Sequence, residues 1–187
     1  MTRTRDPERR DKILRSAADL FGRRGYHAVS MAEIGADAGI TGAGIYRHFD
    51  GKAEILVVLL DEVMDELSED QAQIAARATG TVDLRPIVEA QVSFVVQRRE
   101  VARIWYSQVD NLPPADRDRL RDKQRKYLAD WTRHLRAARP ELGQAEAGVR
   151  VRAAVGAIQS ALFHNIALDA RSLQEVLTTA ALAVLTS

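Results

Sequence analysis

Cysteine is absent from the 187 residues, which excludes disulfides, thiolate metal sites and cysteine nucleophiles together. Proline is scarce, at five residues, and the abundant Ala, Leu, Arg, Asp and Glu favour helix. We expect an all-α chain with no sheet. Apolar runs are short, and Ile55 to Leu60 falls far below the roughly 20 residues of a spanning helix. Met1 to Arg10 is polar and basic, without the apolar stretch of a secretory signal. The expectation is a soluble, cytoplasmic protein. No His-Glu-x-x-His metal motif and no Gly-rich phosphate loop of the usual spacing is present, and His27, His48, His134 and His164 are scattered. We therefore expect no enzyme, no metal and no cofactor.

What is present begins with an uneven charge distribution beneath a net +1. Residues 1–52 carry ten Lys/Arg against seven Asp/Glu, and residues 53–187 carry 17 against 19. Positive potential is concentrated where a phosphate-binding surface would need it.

Asp6-Pro7-Glu8 is a helix start, and Ile13, Leu14, Ala17, Ala18, Leu20 and Phe21 recur at helical spacing until Gly25. Ahead of it, Arg3 and Arg5 form a basic arm of the type that lies along phosphates or in a minor groove. Ser30 and Glu33 have capping-box spacing and open a second helix to about Ala38, with Met31, Ile34 and Ala38 inward. Gly39 breaks it, Ile40 plugs the turn, and Thr41 caps a third helix over Gly42 to Phe49. Two short helices with a tight turn, braced by a longer one, make a helix-turn-helix. On the third, Ile45 and Phe49 face inward, leaving Tyr46, Arg47 and His48 to project outward. Gly42 and Gly44 each cost this helix about 1 kcal/mol relative to alanine. Folding alone offers no use for them there, whereas close backbone approach to a partner does.

Residues from Lys12 to Val57 resemble the DNA-binding domain of the TetR/AcrR family of transcriptional regulators. The resemblance is carried by Ile13-Leu14, Ala17-Ala18, Leu20-Phe21, Gly25-Tyr26, Ser30-Met31, Ile34, Ala38-Gly39-Ile40, Ile45-Tyr46, His48-Phe49, Lys52 and Leu56. Gly42, Gly44 and Gly51 depart from the usual pattern. The resemblance implies that Tyr46, His48 and Lys52 contact phosphates and that Ser30 touches the DNA backbone. Hydroxyl, imidazole and ammonium donors suit phosphate oxygens. Arg47 is a candidate for a guanine edge, with a phosphate contact or a solvent-facing position as the alternatives. Thr41 caps the helix, and Gly42, Ala43 and Gly44 offer backbone amides and methyl contact. With so little side-chain readout, DNA shape is expected to contribute to specificity.

Lys52 opens a long helix to about Thr79 with Ile55, Leu56, Leu59, Leu60, Val63, Met64 and Leu67 inward, and Gly80-Thr81 breaks it. Further helices are expected at Pro86 to Gln97, from Val101 to Val109, and from Asp116 beyond the Pro113-Pro114 stop. Phe94, Trp105, Tyr106, Tyr127, Trp131, Phe163 and His164 are read either as plain core or as walls of a ligand cavity, with Arg98, Arg103 or Gln108 meeting an anionic or carbonyl-bearing end of the guest. The last two helices are placed at Gln144 to Leu168 and Ser172 to Leu185. The first is rich in small residues, and the second is apolar over much of its circumference, Leu177 included. That pattern suits a two-fold four-helix interface.

The fold class expected is therefore all-α with about nine helices. A three-helix helix-turn-helix DNA-binding domain occupies residues 1–52, and a helical effector-binding and dimerisation domain occupies residues 53–187. The function expected is a homodimeric regulator, read as a repressor, released from a palindromic double-stranded DNA operator by a small, fairly apolar effector. A DNA-binding dimer without such a ligand, and an enzyme, are the alternatives.

Overall fold

The computed structural model describes residues 7–77, 83–164 and 166–187. The Asp6 cap, the Arg3 and Arg5 arm and the Gly80-Thr81 break lie outside these. Among the described residues the chain is all-α, with nine α-helices and no strand: α1 Pro7–Arg24, α2 Met31–Asp37, α3 Gly42–Ile45, α4 Lys52–Arg77, α5 Arg85–Gln97, α6 Arg99–Gln108, α7 Pro114–Ala138, α8 Gln144–Gln159 and α9 Ala170–Thr186. None of them is long and apolar enough to cross a membrane. The chain divides into two compact units. One comprises residues 1–62 and 100–117, the other residues 63–99 and 118–187.

In the first unit the inward stripe of α1, Ile13, Leu14, Ala17 and Phe21, is buried, as are Val29, Ile34, Ile45, Phe49, Ile55, Leu56 and Leu60. Two glycines carry the reversals between the short helices. Gly25 (φ 82°) and Gly39 (φ 69°) adopt the left-handed conformation that side chains disfavour, so α1 and α2 each end on a residue suited to it. The expected capping box at the start of α2 is formed. The Ser30 amide donates to Glu33 Oε2 at 2.8 Å, and the Glu33 amide donates to Ser30 Oγ at 3.2 Å. These bonds hold the Glu33 carboxyl down at about 2, its hydrogen bonds to the Ser30 side chain and amide being the main cause and Arg24 assisting.

The third helix is shorter than its sequence pattern. It holds α-geometry over Gly42–Ile45 only, with the Thr41 hydroxyl accepting from the Gly44 amide at 3.2 Å. The Arg47 amide then bonds the Gly44 carbonyl and the His48 amide the Ile45 carbonyl, so the chain tightens into three-residue turns. Gly44 has a folding role that the residue pattern alone does not show. A Cβ there would lie 2.6 Å from Ile40 Cγ2 and 3.1 Å from Thr41 Oγ1. The plug residue of the turn and the cap of the helix together leave no room for a methyl.

In the second unit α8 packs on α9, and α5 packs on both. Val88, Val92, Val95, Leu120, Trp131, Leu135, Val151, Ile158, Leu177 and Leu185 are buried there. The α8 helix stops at Gln159, well short of Leu168. The Ser160 hydroxyl donates to the Ala157 carbonyl, a three-residue turn follows at Ser160–Leu162, and Asp169 caps a new helix by accepting from the Ser172 amide at 2.9 Å. Two arginines close the far end of α9. Arg139 Nη1 donates to the Leu185 and Ser187 carbonyls at 3.3 and 2.6 Å, and Arg150 Nη1 to those of Val184 and Ser187 at 3.2 and 2.7 Å. Guanidinium groups there meet carbonyls that no helical amide can satisfy.

Gly44→Ala is expected to destabilise the protein by about 1 kcal/mol, overpacking outweighing the helix-propensity gain. In an Ile40→Ala background the same change is expected to stabilise it, and chemical denaturation of the four proteins checks both signs. Because the Glu33 carboxyl is depressed, its contribution is complete above its ordinary value near 4.5 and is lost as pH falls towards about 2. The thermal-stability gap between wild type and Glu33→Gln should therefore close across that window and stay constant from pH 5 to 7.

Candidate nucleic-acid interface

The cap at Ser30 sets where α2 begins, the Gly39 reversal aims the chain back, and the cap at Thr41 starts α3. Along α3 and its following turn, Thr41, Ala43, Tyr46 and Arg47 are exposed, and Tyr46 keeps 57% of its surface in solvent. A phenol and a guanidinium side by side on one turn form a donor face with an aromatic component. Ser30 is exposed at the start of α2, though its hydroxyl already donates to Glu33 Oε2 at 2.6 Å.

Two predicted phosphate ligands are differently placed. His48 does not project outward. It is 8% exposed, and its Nδ1 is buried without a hydrogen-bond partner. The tight turns after Ile45 bring Ile45, His48 and Phe49 to the same inward side, which an ideal helix wheel drawn to Phe49 does not anticipate. Lys52 reaches back rather than out. Its Nζ donates to the carbonyls of Tyr26 and Val29, both at 2.7 Å, and stands 4.5 Å from the centre of the Tyr26 ring. The cation thereby ties the start of α4 to the loop between α1 and α2.

Arg10 makes a similar bond in this unit, lying 5.3 Å from the Phe49 ring centre and 3.3 Å from Glu62 Oε1. Neither Tyr26 as the seat of Lys52 nor Arg10 as a cover for Phe49 follows from the sequence pattern. The signal for Tyr26 was its position directly after a helix-ending glycine, where its carbonyl is free to accept.

The residues read as cavity walls fall in both compact units. Trp105, Tyr106 and Gln108 belong to the first. Trp105 is buried, and burial pushes the Tyr106 hydroxyl upward. Phe94, Arg98, Tyr127, Trp131 and Phe163 belong to the second. There Tyr127 and Trp131 meet edge to face at 6.2 Å, and the Tyr127 hydroxyl donates to Gln91 Oε1 at 2.5 Å. With its amide turned to satisfy both groups, Gln71 accepts from the Trp131 indole at 3.2 Å. Both glutamines are only 4% exposed, and sequence alone did not single them out although each continues an inward helical stripe. Arg98 lies over the Phe94 ring and pairs with Glu66. Phe163 stands apart from these aromatics in character, 62% exposed after the end of α8. A separate groove between α5 and α9, of about 460 Å³, is lined by polar residues including Arg85, Glu89, Arg171 and Glu175, and by none of the predicted wall residues.

On the α8–α9 pair, Val149 and Val176 are exposed at 59% and 55%, whereas Leu177 is 6% exposed and belongs to the chain's own core. The outward apolar stripe therefore runs through Val176.

Comparison with known proteins agrees with this architecture. Residues 13–59 match the family model described as bacterial regulatory proteins, tetR family, and residues 78–162 match that of the tetracyclin repressor-like C-terminal domain. The HTH-type transcriptional activator FasR of Mycolicibacterium smegmatis is 36% identical over 89 residues, 47% of this chain and 41% of the relative. The HTH-type transcriptional repressor KstR2 of the same organism is 29% identical over 134 residues, 69% of this chain and 65% of the relative. These matches thus span less than two thirds of either curated relative. The solved structure of the ketosteroid transcriptional regulator KstR2 of Mycobacterium tuberculosis shares the fold, with a TM-score of 0.80 at 20% identity, covering 97% of this chain and 95% of that one. AibR, solved in complex with isovaleryl coenzyme A and operator DNA, does so with a TM-score of 0.78 at 21% identity, covering 91% and 96%. A helix-turn-helix with ordered matches across residues 13–59, followed by a second matched helical region, places the chain in the TetR family of bacterial regulatory proteins.

Proposed function

We propose that the protein is a homodimeric, DNA-binding transcriptional regulator of the repressor type, released from a palindromic operator by a small, fairly apolar effector. The observation that carries this reading is α3 with the turn that follows it, a one-turn capped helix after which Tyr46 and Arg47 stand exposed to solvent beside buried Ile45. An exposed aromatic beside a guanidinium on so short a helix has no use in the core and suits a phosphate-lined groove. Residues 1–52 supply the DNA-binding part and residues 53–187 the effector-binding and dimerisation part. Tyr46, Arg47 and Thr41 contact DNA directly, with Gly42, Ala43 and Gly44 approaching through backbone. Ser30 and Lys52 complete the set, Lys52 also holding the head in shape, while the buried His48 backs the turn from inside. The protein acts in the cytoplasm.

Support for an effector comes from AibR, which was solved with both isovaleryl coenzyme A and operator DNA, and from the aromatic residues Phe94, Tyr127 and Trp131 of the second unit. The relatives include both an activator, FasR, and a repressor, KstR2. Repression is favoured because the exposed head needs no further partner to occlude a promoter. One observation favours a DNA-binding dimer without small ligand: Tyr127 and Trp131 already have their polar groups satisfied by Gln91 and Gln71 inside the helices. A metabolite panel that leaves both thermal stability and DNA affinity unchanged would select that second reading.

Two measurements test the proposal, using duplex DNA enriched from a random library by the wild-type protein. Tyr46→Ala/Arg47→Ala should lower affinity at least tenfold and reduce the salt slope by about 1 for each phosphate that is no longer neutralised. Unchanged binding would remove α3 from the interface. Val176→Glu should convert a dimer into a folded monomer by solution mass, and a persistent dimer would move the pairing face away from α9.

A further inference from the structure

The groove of about 460 Å³ between α5 and α9 lies wholly within the second unit and shares no residue with α3 or with the aromatic cluster. Its charged groups are already matched. Arg85 pairs with Glu89 at 3.5 Å and Arg171 with Glu175 at 3.2 Å, each pair one turn apart on its own helix. All four are exposed, so they form a rim whose charges cancel locally. The uncharged polar side chains are in the opposite condition. Ser93 and Gln97 on α5, with Gln174, Thr178 and Thr179 on α9, line the groove, and among the described residues none of the five makes a side-chain hydrogen bond. Water serves the exposed ones. Thr178, however, is only 7% exposed, and Ser93 is half-buried. A helical hydroxyl can satisfy itself on the carbonyl one turn back. Thr132 does so on Leu128 at 2.8 Å, Thr186 on Leu182 at 2.9 Å and Ser68 on Met64 at 2.7 Å, but Thr178 and Ser93 make no such bond. Among the described residues only His48 Nδ1 and Arg99 Nε are sealed from solvent without a partner, so the Thr178 hydroxyl opens on the groove. Val92, buried beside it, gives the groove an apolar floor.

We propose that this groove binds a small, neutral polyhydroxy molecule, a sugar or polyol, with Thr178 and Ser93 as its deepest hydrogen-bonding groups. Hydroxyl and amide side chains both donate and accept, as the hydroxyls of such a guest do, and those are the groups left unpartnered here. A charged guest would find its counter-charges engaged, since each guanidinium already faces a carboxylate of its own helix. An apolar guest would cover the Thr178 hydroxyl without giving it a partner, which costs free energy. The volume is that of a small-molecule site, and Val92 offers contact to the C–H face of a sugar ring. The groove also turns away from the exposed Val176. Two residues on a helix are roughly 200° apart, so Thr178 and Val176 lie on opposite sides of α9. The site stands independently of DNA binding and of an apolar effector.

The test is ligand-observed saturation-transfer NMR on the full-length protein, with glucose, sorbitol and trehalose as probes and spermidine and citrate as charged comparators. Wild type should show saturable transfer to at least one of the three neutral probes. Thr178→Val keeps the branched shape and removes the hydroxyl; it should weaken that binding about fivefold or more, and Ser93→Ala about threefold or more. Without any probe, Thr178→Val should match or exceed the wild-type Tm, because a hydroxyl with no partner contributes nothing to the fold. Sugars raise the Tm of proteins in general by exclusion from their surface, so the readout is transfer and not stabilisation. The Tyr46→Ala/Arg47→Ala protein should bind the probe as wild type does, which separates this site from the DNA-binding reading. No saturable transfer to any neutral probe, equal affinity in wild type and both variants, or tighter binding of a charged comparator would each overturn the proposal. A clear fall in Tm for Thr178→Val would return that hydroxyl to the fold and overturn it as well.

Discussion

The ammonium of Lys52 is the point on which the DNA-binding head depends. It bridges two carbonyls of the loop between α1 and α2 and lies over the Tyr26 ring, so it fixes the loop from which Ser30 launches α2. The direction of α2 sets Gly39, and Gly39 sets the cap at Thr41. Removing the cation would leave two part-buried carbonyls without donors, a loss of about 1–3 kcal/mol each by the usual penalty for an unmade bond. A residue expected to grip phosphate thus serves first as an internal clasp. The two roles are compatible, because an ammonium carries three donors and two are engaged within the protein.

Much of the fold was legible in the residues because local chemistry decides it. The Ser30–Glu33 box, the stop at Pro113-Pro114, the apolar face of α4 and the reversals at Gly25 and Gly39 are each written within a few neighbouring positions. What failed depended on how turns close in space. His48 was placed outward by extending an ideal helix to Phe49, but glycine-rich α3 tightens after Ile45 and rotates it inward. At Gly44 nothing in the immediate sequence shows that Ile40 folds back over it, so its packing role is visible only in the structure. Leu177 and Val176 are adjacent on a helix apolar on several sides, so periodicity could not say which of them the chain buries.

The candidate site was legible in part for the same reason. Tyr46 and Arg47 are exposed as their pattern indicated, while the aromatic set of the C-terminal half fell into different environments. Tyr127 and Trp131 share a polar interior with Gln91 and Gln71, Phe163 lies in solvent, and Arg98 is engaged with Glu66. Buried glutamines are easily passed over in a sequence because polar residues are assigned to the surface by default. Here they continue the inward stripes of α4 and α5, and they give the core of the second unit a hydrogen-bonded identity that aliphatic residues would not.

Half of the four residues of α3 are glycine. Glycine loses more backbone freedom on ordering than any other residue, on a scale of about 1–2 kcal/mol per residue fixed. If α3 enters a groove as proposed above, the backbone freedom its glycines surrender there is subtracted from affinity on every sequence alike, and discrimination between DNA sites would come from how little additional distortion the matched site demands.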